Sequence, residues 1–172
     1  DVEYYSSATT GISSFTLPVS YLMAGNVVPL LNYNNLILSP AESKDITLPD
    51  GPLNVSGDLR ITGSGISRLN TSSSTRTVTV GSGLDILSGT LRFMNSLNTP
   101  QDIVVLGDVT VGSPATFDVS TTGTAANTMT IHGNLINNGV FNMRTGLSQV
   151  CNVTFAGGVN RQIAGSGSVT SF

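Results

Sequence analysis

The chain has 172 residues, a formal net charge of −3, 39% hydrophobic residues and only 10% charged residues. Its few cations form no basic stripe for a phosphate backbone, so we expect no nucleic acid partner, and no run of about 18 apolar residues predicts a membrane span. The single cysteine, Cys151, excludes an intrachain disulfide framework, and the many β-branched residues argue against disorder.

The first 52 residues are predicted to be the end of a preceding repeat with entry or capping strands, ahead of a main repeat region over residues 53–172. Two strand candidates lie at residues 36–38 and 46–48, and the turn "LPDG" follows the second of them. Because Asp1 is not an initiator residue, we expect the chain to be a processed or excised piece.

Residues 16–31 do not fit the repeat and are interpreted as an insertion. The stretch "YLMAGNVVPLL" at residues 21–31 is apolar, and we expect it to be buried. We favour a cap over the core of the repeat region. The alternatives are a cover for an exposed β edge and a surface that docks against a neighbouring domain.

A repeat with a period of about 25 residues runs through the rest of the chain. "LNVSGDLRI" begins at residue 53, and steps of 25, 25, 26 and 24 lead to "VTVGSGLDI", "IVVLGDVTV", "MTIHGNLIN" and "VTFAGGVNR". Three apolar columns stay in phase: Leu53, Val78, Ile103, Met129, Val153; Val55, Val80, Val105, Ile131, Phe155; and Leu59, Leu84, Val109, Leu135, Val159. The second half of each unit adds a further column, formed by Ile66, Leu91, Phe117 and Phe141.

Each unit holds about three short stretches of alternating apolar and polar residues, and none has helical spacing. One such unit cannot bury its apolar face alone, whereas stacked units place equivalent residues about 4.8 Å apart in continuous ladders. The predicted fold is therefore all-β, a parallel β-helix (β-solenoid) with coils of about 25 residues. The variable stretches 71–75, 96–101 and 121–127 are predicted to be loops on one edge.

A turn rich in Gly, Asp and Asn separates the second and third columns. We expect its Gly and Asn residues to adopt positive φ, and its Asp and Asn side chains to bond their own neighbouring backbone.

The two ends of the chain share a pattern, because residues at one end have the same spacing as residues at the other: Val2, Tyr4 and Ile12, and Val153, Phe155 and Ile163. We interpret this as one sequence motif, found at the end of a repeat, that occurs at both ends of the chain.

The segments "YNNLILS", "LNVSGDLRITGSG", "IHGNLINNGVFNM" and "VTFAGGVNRQIAGSGSVTSF" resemble repetitive regions of very large secreted surface proteins of Bacteroidetes, including gliding-motility and adhesin-type proteins. The chain departs from that pattern at Arg161, where Gln is usual and Gln162 follows, and over residues 16–31. The resemblance implies type IX secretion, and display at the cell surface or release. It also implies three kinds of partner: flanking repeats of one longer chain, the secretion and attachment machinery of the outer membrane, and glycans or surfaces.

The same resemblance bears on the end of the sequence. Phe172 falls where the family places an aromatic residue before Asn-Leu, as Tyr33 does in this chain. We therefore expect the next residues of a parent protein to resemble "NNLIL".

Catalysis and calcium binding are the two functional roles open to the aspartates. A carbohydrate-active β-helix needs carboxylates clustered on one face, whereas the acidic residues of this chain are spread thinly. Asp58 and Asp108 share a corner column and are the first candidates for calcium ligands, but the nonapeptide pattern of calcium-binding β-rolls is absent. We favour a structural turn role for both and expect no cofactor.

Other polar residues are also given structural roles. Asn70 and Asn95 occupy equivalent positions that continue to Thr121 and Thr145, which predicts a polar ladder at a corner. His132 is predicted to be an exposed turn residue. Cys151 is predicted to be a small, partly buried thiol, and a Cys-His nucleophile pair is the minor alternative.

The sequence favours a structural or adhesive module that extends a larger surface protein and presents loops to surfaces or glycans. It is not expected to be an enzyme, and no catalytic, cofactor-binding or metal-binding residue is assigned. The alternative is a carbohydrate-active β-helix of the polysaccharide lyase or hydrolase type. Carboxylates that converge in one groove would favour this alternative.

Overall fold

The computed structural model describes residues 1–7, 13–49, 51–69, 76–93, 99–158 and 160–171, and these residues form strands and turns without a helix. The first eight strands are β1 (Val2–Tyr5), β2 (Phe15–Thr16), β3 (Ser20–Met23), β4 (Asn26–Pro29), β5 (Asn32–Tyr33), β6 (Leu36–Ser39), β7 (Asp45–Thr47) and β8 (Leu53–Val55). The next are β9 (Leu59–Ile61), β10 (Ile66–Leu69), β11 (Arg76–Val80), β12 (Leu84–Ile86), β13 (Thr90–Phe93), β14 (Gln101–Val105) and β15 (Val109–Val111). The last are β16 (Thr116–Val119), β17 (Ala126–Ile131), β18 (Leu135–Asn137), β19 (Val140–Asn142), β20 (Val150–Phe155), β21 (Ile163–Ala164) and β22 (Ser168–Ser171).

Three parallel sheets form the walls of a solenoid. The first sheet has the order β1-β6-β9-β12-β15-β18-β21, the second β2-β7-β10-β13-β16-β19-β22, and the third β5-β8-β11-β14-β17-β20. The chain passes from the first sheet to the second and then to the third before it starts the next coil. The predicted fold class, an all-β parallel β-solenoid with coils of about 25 residues, is confirmed.

The core lies inside the coils, where alternate residues of the strands in the three parallel sheets point inward. The columns that begin at Leu53 and Val55 are confirmed in full, because each member pairs in register with the next. The column that begins at Leu59 is confirmed as far as Leu135. Most of these side chains are buried, so stacking closes the apolar ladders that one coil alone would expose.

Two members of the predicted columns are wrong. Leu135 pairs with Ile163 and not with Val159, because the turn after Phe155 is longer than the turns of the earlier coils. Val159 itself lies outside the described residues. In the second sheet Ser67, not Ile66, pairs with Leu91, because the turn before β13 is one residue shorter than the turn before β10.

The two ends of the chain are not equivalent. Val2–Tyr5 belongs to the first sheet and pairs with Leu36–Ser39, whereas Val150–Phe155 belongs to the third sheet. The similar spacing therefore does not mark the same position in a coil, and that interpretation is wrong. Ile12, the last member of the first set, lies outside the described residues.

Two corners flank the third sheet. We call the connections from the third sheet to the first the glycine corner, formed by residues 56–58, 81–83, 106–108 and 132–134. We call the connections from the second sheet to the third the variable edge, formed by residues 17–31, 48–52, 70–75, 94–100, 120–125 and 143–149. The flanking strands confirm that the variable stretches share one edge, and the apolar insertion belongs to it as well. Residues 50, 70–75 and 94–98 of this edge lie outside the described part.

Candidate functional site

The insertion at the variable edge is an antiparallel β-hairpin. Strands β3 and β4 pair with each other from Ser20 and Pro29 to Met23 and Asn26. Ala24 and Gly25 form the tip with φ values of 48° and 82°, which suits the tight two-residue turns of hairpins. The sequence contained this signal, an Ala-Gly pair between two apolar runs, but the stretch was not predicted to be a hairpin.

Only the base of the hairpin reaches the core. Leu17 is buried and Leu30 packs against the core, while the N–H of Leu30 donates a hydrogen bond to the carbonyl of Val19 over 2.8 Å. The arms project outward, so the expectation that this stretch is buried is wrong for Tyr21 (45% exposed), Leu22 (75%), Met23 (61%) and Val27 (70%). The two arms form backbone hydrogen bonds with each other. They therefore need no hydrogen bonds from the sheets of the solenoid.

A buried polar ladder supports the variable edge where the strands of the third sheet begin. The N–H of Gln101 donates to Oδ1 of Asn127 over 2.9 Å, and Asn127 pairs in register with Cys151. All three side chains are buried. Asn70 and Asn95 of the predicted corner ladder lie outside the described residues, whereas Thr121 and Thr145 lie in connections of the variable edge. The ladder at Gln101 and Asn127 was missed, because these residues end the stretches 96–101 and 121–127, which were predicted to be loops.

Cys151 and His132 do not form a nucleophile pair. Cys151 is fully buried rather than partly buried, and burial raises the pKa of its thiol, which keeps it protonated. His132 follows β17 at the glycine corner and is half-buried. The two residues therefore lie at opposite ends of the third sheet.

The aspartates at the glycine corner join successive coils. Oδ1 of Asp58 accepts a hydrogen bond from the N–H of Gly83 over 3.0 Å, and Oδ1 of Asp108 accepts one from the N–H of Asn134 over 2.7 Å. Asn35 and Asn134 hold equivalent places, where their Oδ1 atoms accept from the N–H groups of Asp58 and Gln162 over 2.8 and 3.1 Å. These side chains were expected to bond their own neighbouring backbone. That expectation is wrong, because the bonds join successive coils.

Asp58 also shows the electrostatic effect of this arrangement. The N–H of Gly83, followed by the hydroxyl of Ser82, lowers the pKa of the Asp58 carboxyl below its usual value. Its oxygens are thus engaged by the protein itself, which supports the structural turn role over the role of a calcium ligand.

The corner glycines are selected by close stacking. Positive φ occurs at Gly157 in the last coil, but Gly107 and Gly133 do not adopt it, so that expectation is wrong for them. A Cβ atom on Gly107 would overlap the carbonyl oxygen of Ser82, and one on Gly133 would overlap the carbonyl of Gly107. The backbone of each coil lies against the backbone of the previous one here, and only glycine leaves the necessary space.

The described carboxylates do not converge. Among the described residues, no group of three or more His, Cys, Asp or Glu side chains is placed to hold a metal ion. Four aspartates form ion pairs with arginine on the outer faces: Asp58 and Asp85 with Arg60, Asp45 with Arg68, and Asp118 with Arg92. This arrangement balances charge along the walls and differs from the paired free carboxylates of a glycosidase.

The outer face of the third sheet carries rows of amide and hydroxyl groups. One row runs in register through Asn32, Asn54, Thr79, Val104, Thr130 and Thr154. A second row includes Thr77, Asp102, Thr128 and Asn152, in which the Thr128 hydroxyl donates to Oδ1 of Asp102 over 2.7 Å.

A cavity of about 320 Å³ opens where the variable edge meets this face. It is lined by Leu31, Asn32, Pro52, Leu53, Asn54, Thr77 and Thr79. Leu31 and Pro52 come from the variable edge, and the other five residues come from β5, β8 and β11. The lining combines apolar and polar groups, as is typical of sites for small ligands.

Comparisons with protein-family models, with curated proteins and with solved structures give no match for this chain. Within the described ranges, the chain forms no apolar helix of the length that a bilayer requires.

Proposed function

We propose that the chain is a structural and adhesive β-solenoid module of a large bacterial cell-surface protein, secreted and held at the outer membrane or released. In this proposal the stacked coils extend the molecule, and the variable edge attaches it to surfaces or glycans, with gliding motility as one setting. The observation that carries the proposal is that the connections of variable length share one edge of a regular scaffold. Loops placed on a rigid scaffold are where binding functions concentrate.

The scaffold suits an extending role because its three walls continue without interruption from coil to coil. Among the described strands, the outermost ones of each sheet have one neighbour, which leaves one edge unpaired within this part of the chain. Flanking repeats of a longer chain would continue the same sheets by pairing with those edges.

The hairpin and the cavity suit an attaching role. The hairpin exposes Leu22, Met23 and Val27 to solvent, although a soluble chain usually buries such side chains. The described aspartates are paired with arginines or hydrogen-bonded to neighbouring coils, which supports binding rather than cleavage of a glycan.

Binding of the purified protein to polysaccharide-coated beads and to bare glass tests this proposal. Leu22→Ser combined with Met23→Ser changes the hairpin, and we expect it to reduce binding severalfold without lowering the melting temperature, because both side chains are exposed. Leu87→Ser combined with Leu106→Ser is the matched control, since these leucines are 46% and 50% exposed away from the variable edge. Equal losses in both double variants, or no binding by the wild type, would contradict an adhesive role for the edge.

A further inference from the structure

We propose that the cavity at the variable edge is a binding site for a neutral saccharide unit. This inference rests on the proposed function, because it names the ligand class that the edge would take. With a volume of about 320 Å³, the cavity lies at the small end of the roughly 300–1,000 Å³ range of ligand sites. Its position at the start of the third sheet leaves it open toward the outside of the solenoid.

The polar side of the cavity matches the hydroxyl groups of a sugar ring. Asn54 pairs in register with Asn32 on one side and Thr79 on the other, so their polar groups follow one another at intervals of about 4.8 Å. Nδ2 of Asn54 donates to Oδ1 of Asn32 over 3.4 Å, which aligns the two amides. Within the described part of the chain, the hydroxyls of Thr77 and Thr79 have no hydrogen-bond partner. They are therefore free to donate and accept toward a ligand.

The apolar side matches the C–H face of the same ring. Leu31 and Pro52 supply this wall, and both belong to connections of the variable edge. The carbonyl of Leu31 accepts a hydrogen bond from the N–H of Asn54 over 2.8 Å, so the wall is fixed to the strand that carries the polar groups. A fixed wall lowers the entropy that a ligand loses to loop ordering when it binds.

Charge selects a neutral ligand. None of the seven lining side chains is ionisable. Asp102 pairs in register with Thr77, so the sheet register places a carboxylate on the strand beside the cavity. A carboxylate, sulfate or phosphate on the ligand would be repelled there and would find no cation among the lining residues.

NMR titration of the isotope-labelled protein tests this site. The probes are the methyl glycosides of glucose, galactose, mannose and N-acetylglucosamine, with methyl glucuronide as the charged counterpart of the first. We expect saturable shifts of the Asn32, Asn54, Thr77 and Thr79 amides with at least one neutral glycoside, and weaker binding of the glucuronide. Absence of saturable shifts at these amides, or tighter binding of the glucuronide, would overturn the proposal.

Two isosteric variants in the same outward row sharpen this test. Thr79→Val removes a hydroxyl from the cavity. We expect it to lower the affinity for the neutral glycoside about fivefold, because one hydrogen bond is lost. Thr130→Val removes a hydroxyl from the same row two coils away and should leave the affinity unchanged. Equal effects of both variants, or no effect of either, would argue against the cavity.

The titration and the bead assay separate the two proposals. If the Leu22→Ser and Met23→Ser double variant loses bead binding while no glycoside shifts the cavity amides, the edge is adhesive and the saccharide site is wrong. If a neutral glycoside shifts those amides while the wild type binds no bead or glass surface, the adhesive role is wrong and the saccharide site stands.

Discussion

The glycine corner and the variable edge both join the third sheet to a neighbour, yet they differ in length and in what holds them. The glycine corner has three residues in four successive coils. The variable edge ranges from residues 48–52 to residues 17–31, the segment that holds the hairpin. At the glycine corner the backbones of successive coils touch, as at Gly107 and Ser82, so both length and residue type are restricted. At the variable edge the hairpin projects outward, and beneath the edge the buried Asn127 side chain bonds the backbone of the previous coil at Gln101. Length is therefore restricted at the corner where the backbones of successive coils touch.

Both corners depend on the inner ladders, and the largest effect is expected when one of these is broken. Val105→Asp places a charge in the column between Val80 and Ile131, where it has no partner. We expect a loss of at least about 4 kcal/mol and no cooperative unfolding transition in circular dichroism. Val104→Asp is the control, because this side chain faces outward on the same strand. A normal melting temperature for Val105→Asp would show that the inward assignment is wrong.

The glycine corner can be tested with a single methyl group. Gly107→Ala would overlap the carbonyl oxygen of Ser82, and we expect it to lower the free energy of unfolding by roughly 2–3 kcal/mol in urea titrations. Gly83→Ala, in the same corner, would place its Cβ 3.4 Å from Oδ1 of Asp58 and should change stability by less than about 0.5 kcal/mol. Similar results for the two variants would remove close stacking as the reason for glycine.

The polar ladder can be tested at Asn127. Asn127→Ala leaves the N–H of Gln101 without its acceptor in the interior, and we expect a loss of about 1–3 kcal/mol. Hydrogen exchange should show that the Gln101 amide becomes less protected, since the acceptor is lost at that atom. Asn152→Ala, on the outer face of the next coil, serves as the control and should be near neutral. Unchanged protection of the Gln101 amide would contradict the supporting role of the ladder.

A smaller effect, of opposite sign, is expected in the second sheet. Ser67 lies between Ile46 and Leu91 in an apolar column, and its buried hydroxyl has no hydrogen-bond partner among the residues that the structure describes. Ser67→Ala removes the unsatisfied hydroxyl, and we expect a gain of about 1 kcal/mol in thermal or chemical unfolding. The exposed Ser64→Ala is the control and should leave stability unchanged. Destabilisation by Ser67→Ala would show that this hydroxyl is satisfied in solution.

The smallest effect concerns pH at the glycine corner. The pKa of Asp58 is lowered in the folded state, so its contribution to stability is present above the pKa of the unfolded state. The contribution is lost as pH falls through the folded pKa. Asp58→Asn keeps an acceptor for the N–H of Gly83, as Asn134 does in the same column, but does not titrate. The stability difference between wild type and variant should shrink on acidification. A difference that stays constant with pH would show that Asp58 is not linked to folding.

Periodicity predicted the ladders because equivalent positions of stacked coils share one environment and so select the same type of residue. It failed where a corner changes length. The shorter turn before β13 places Ser67 rather than Ile66 in the column of Leu91, and the long turn after Phe155 places Ile163 rather than Val159 in the column of Leu135. It also failed at residues 21–31, because apolar strands that pair with each other need not be buried.

The candidate site was not predictable in this way. Its polar groups lie on outward positions that carry no burial signal. The position of Leu31 beside Asn54 depends on how the hairpin returns to the sheet, which no column encodes. The edge that carries the cavity could be predicted from its variable length, but the cavity itself could not.

The parallel stacking of the coils also has a mechanical consequence. Each coil adds about 4.8 Å to the height of the solenoid, whereas its roughly 25 residues span about 85 Å when pulled straight. A force along the axis acts on the hydrogen bonds between one coil and the next, so the outermost coil would detach first. The detached coil would lengthen the molecule by many times the height of one coil. Such a stack behaves as an extensible tether that yields coil by coil and lets the rest of the molecule stay folded under load.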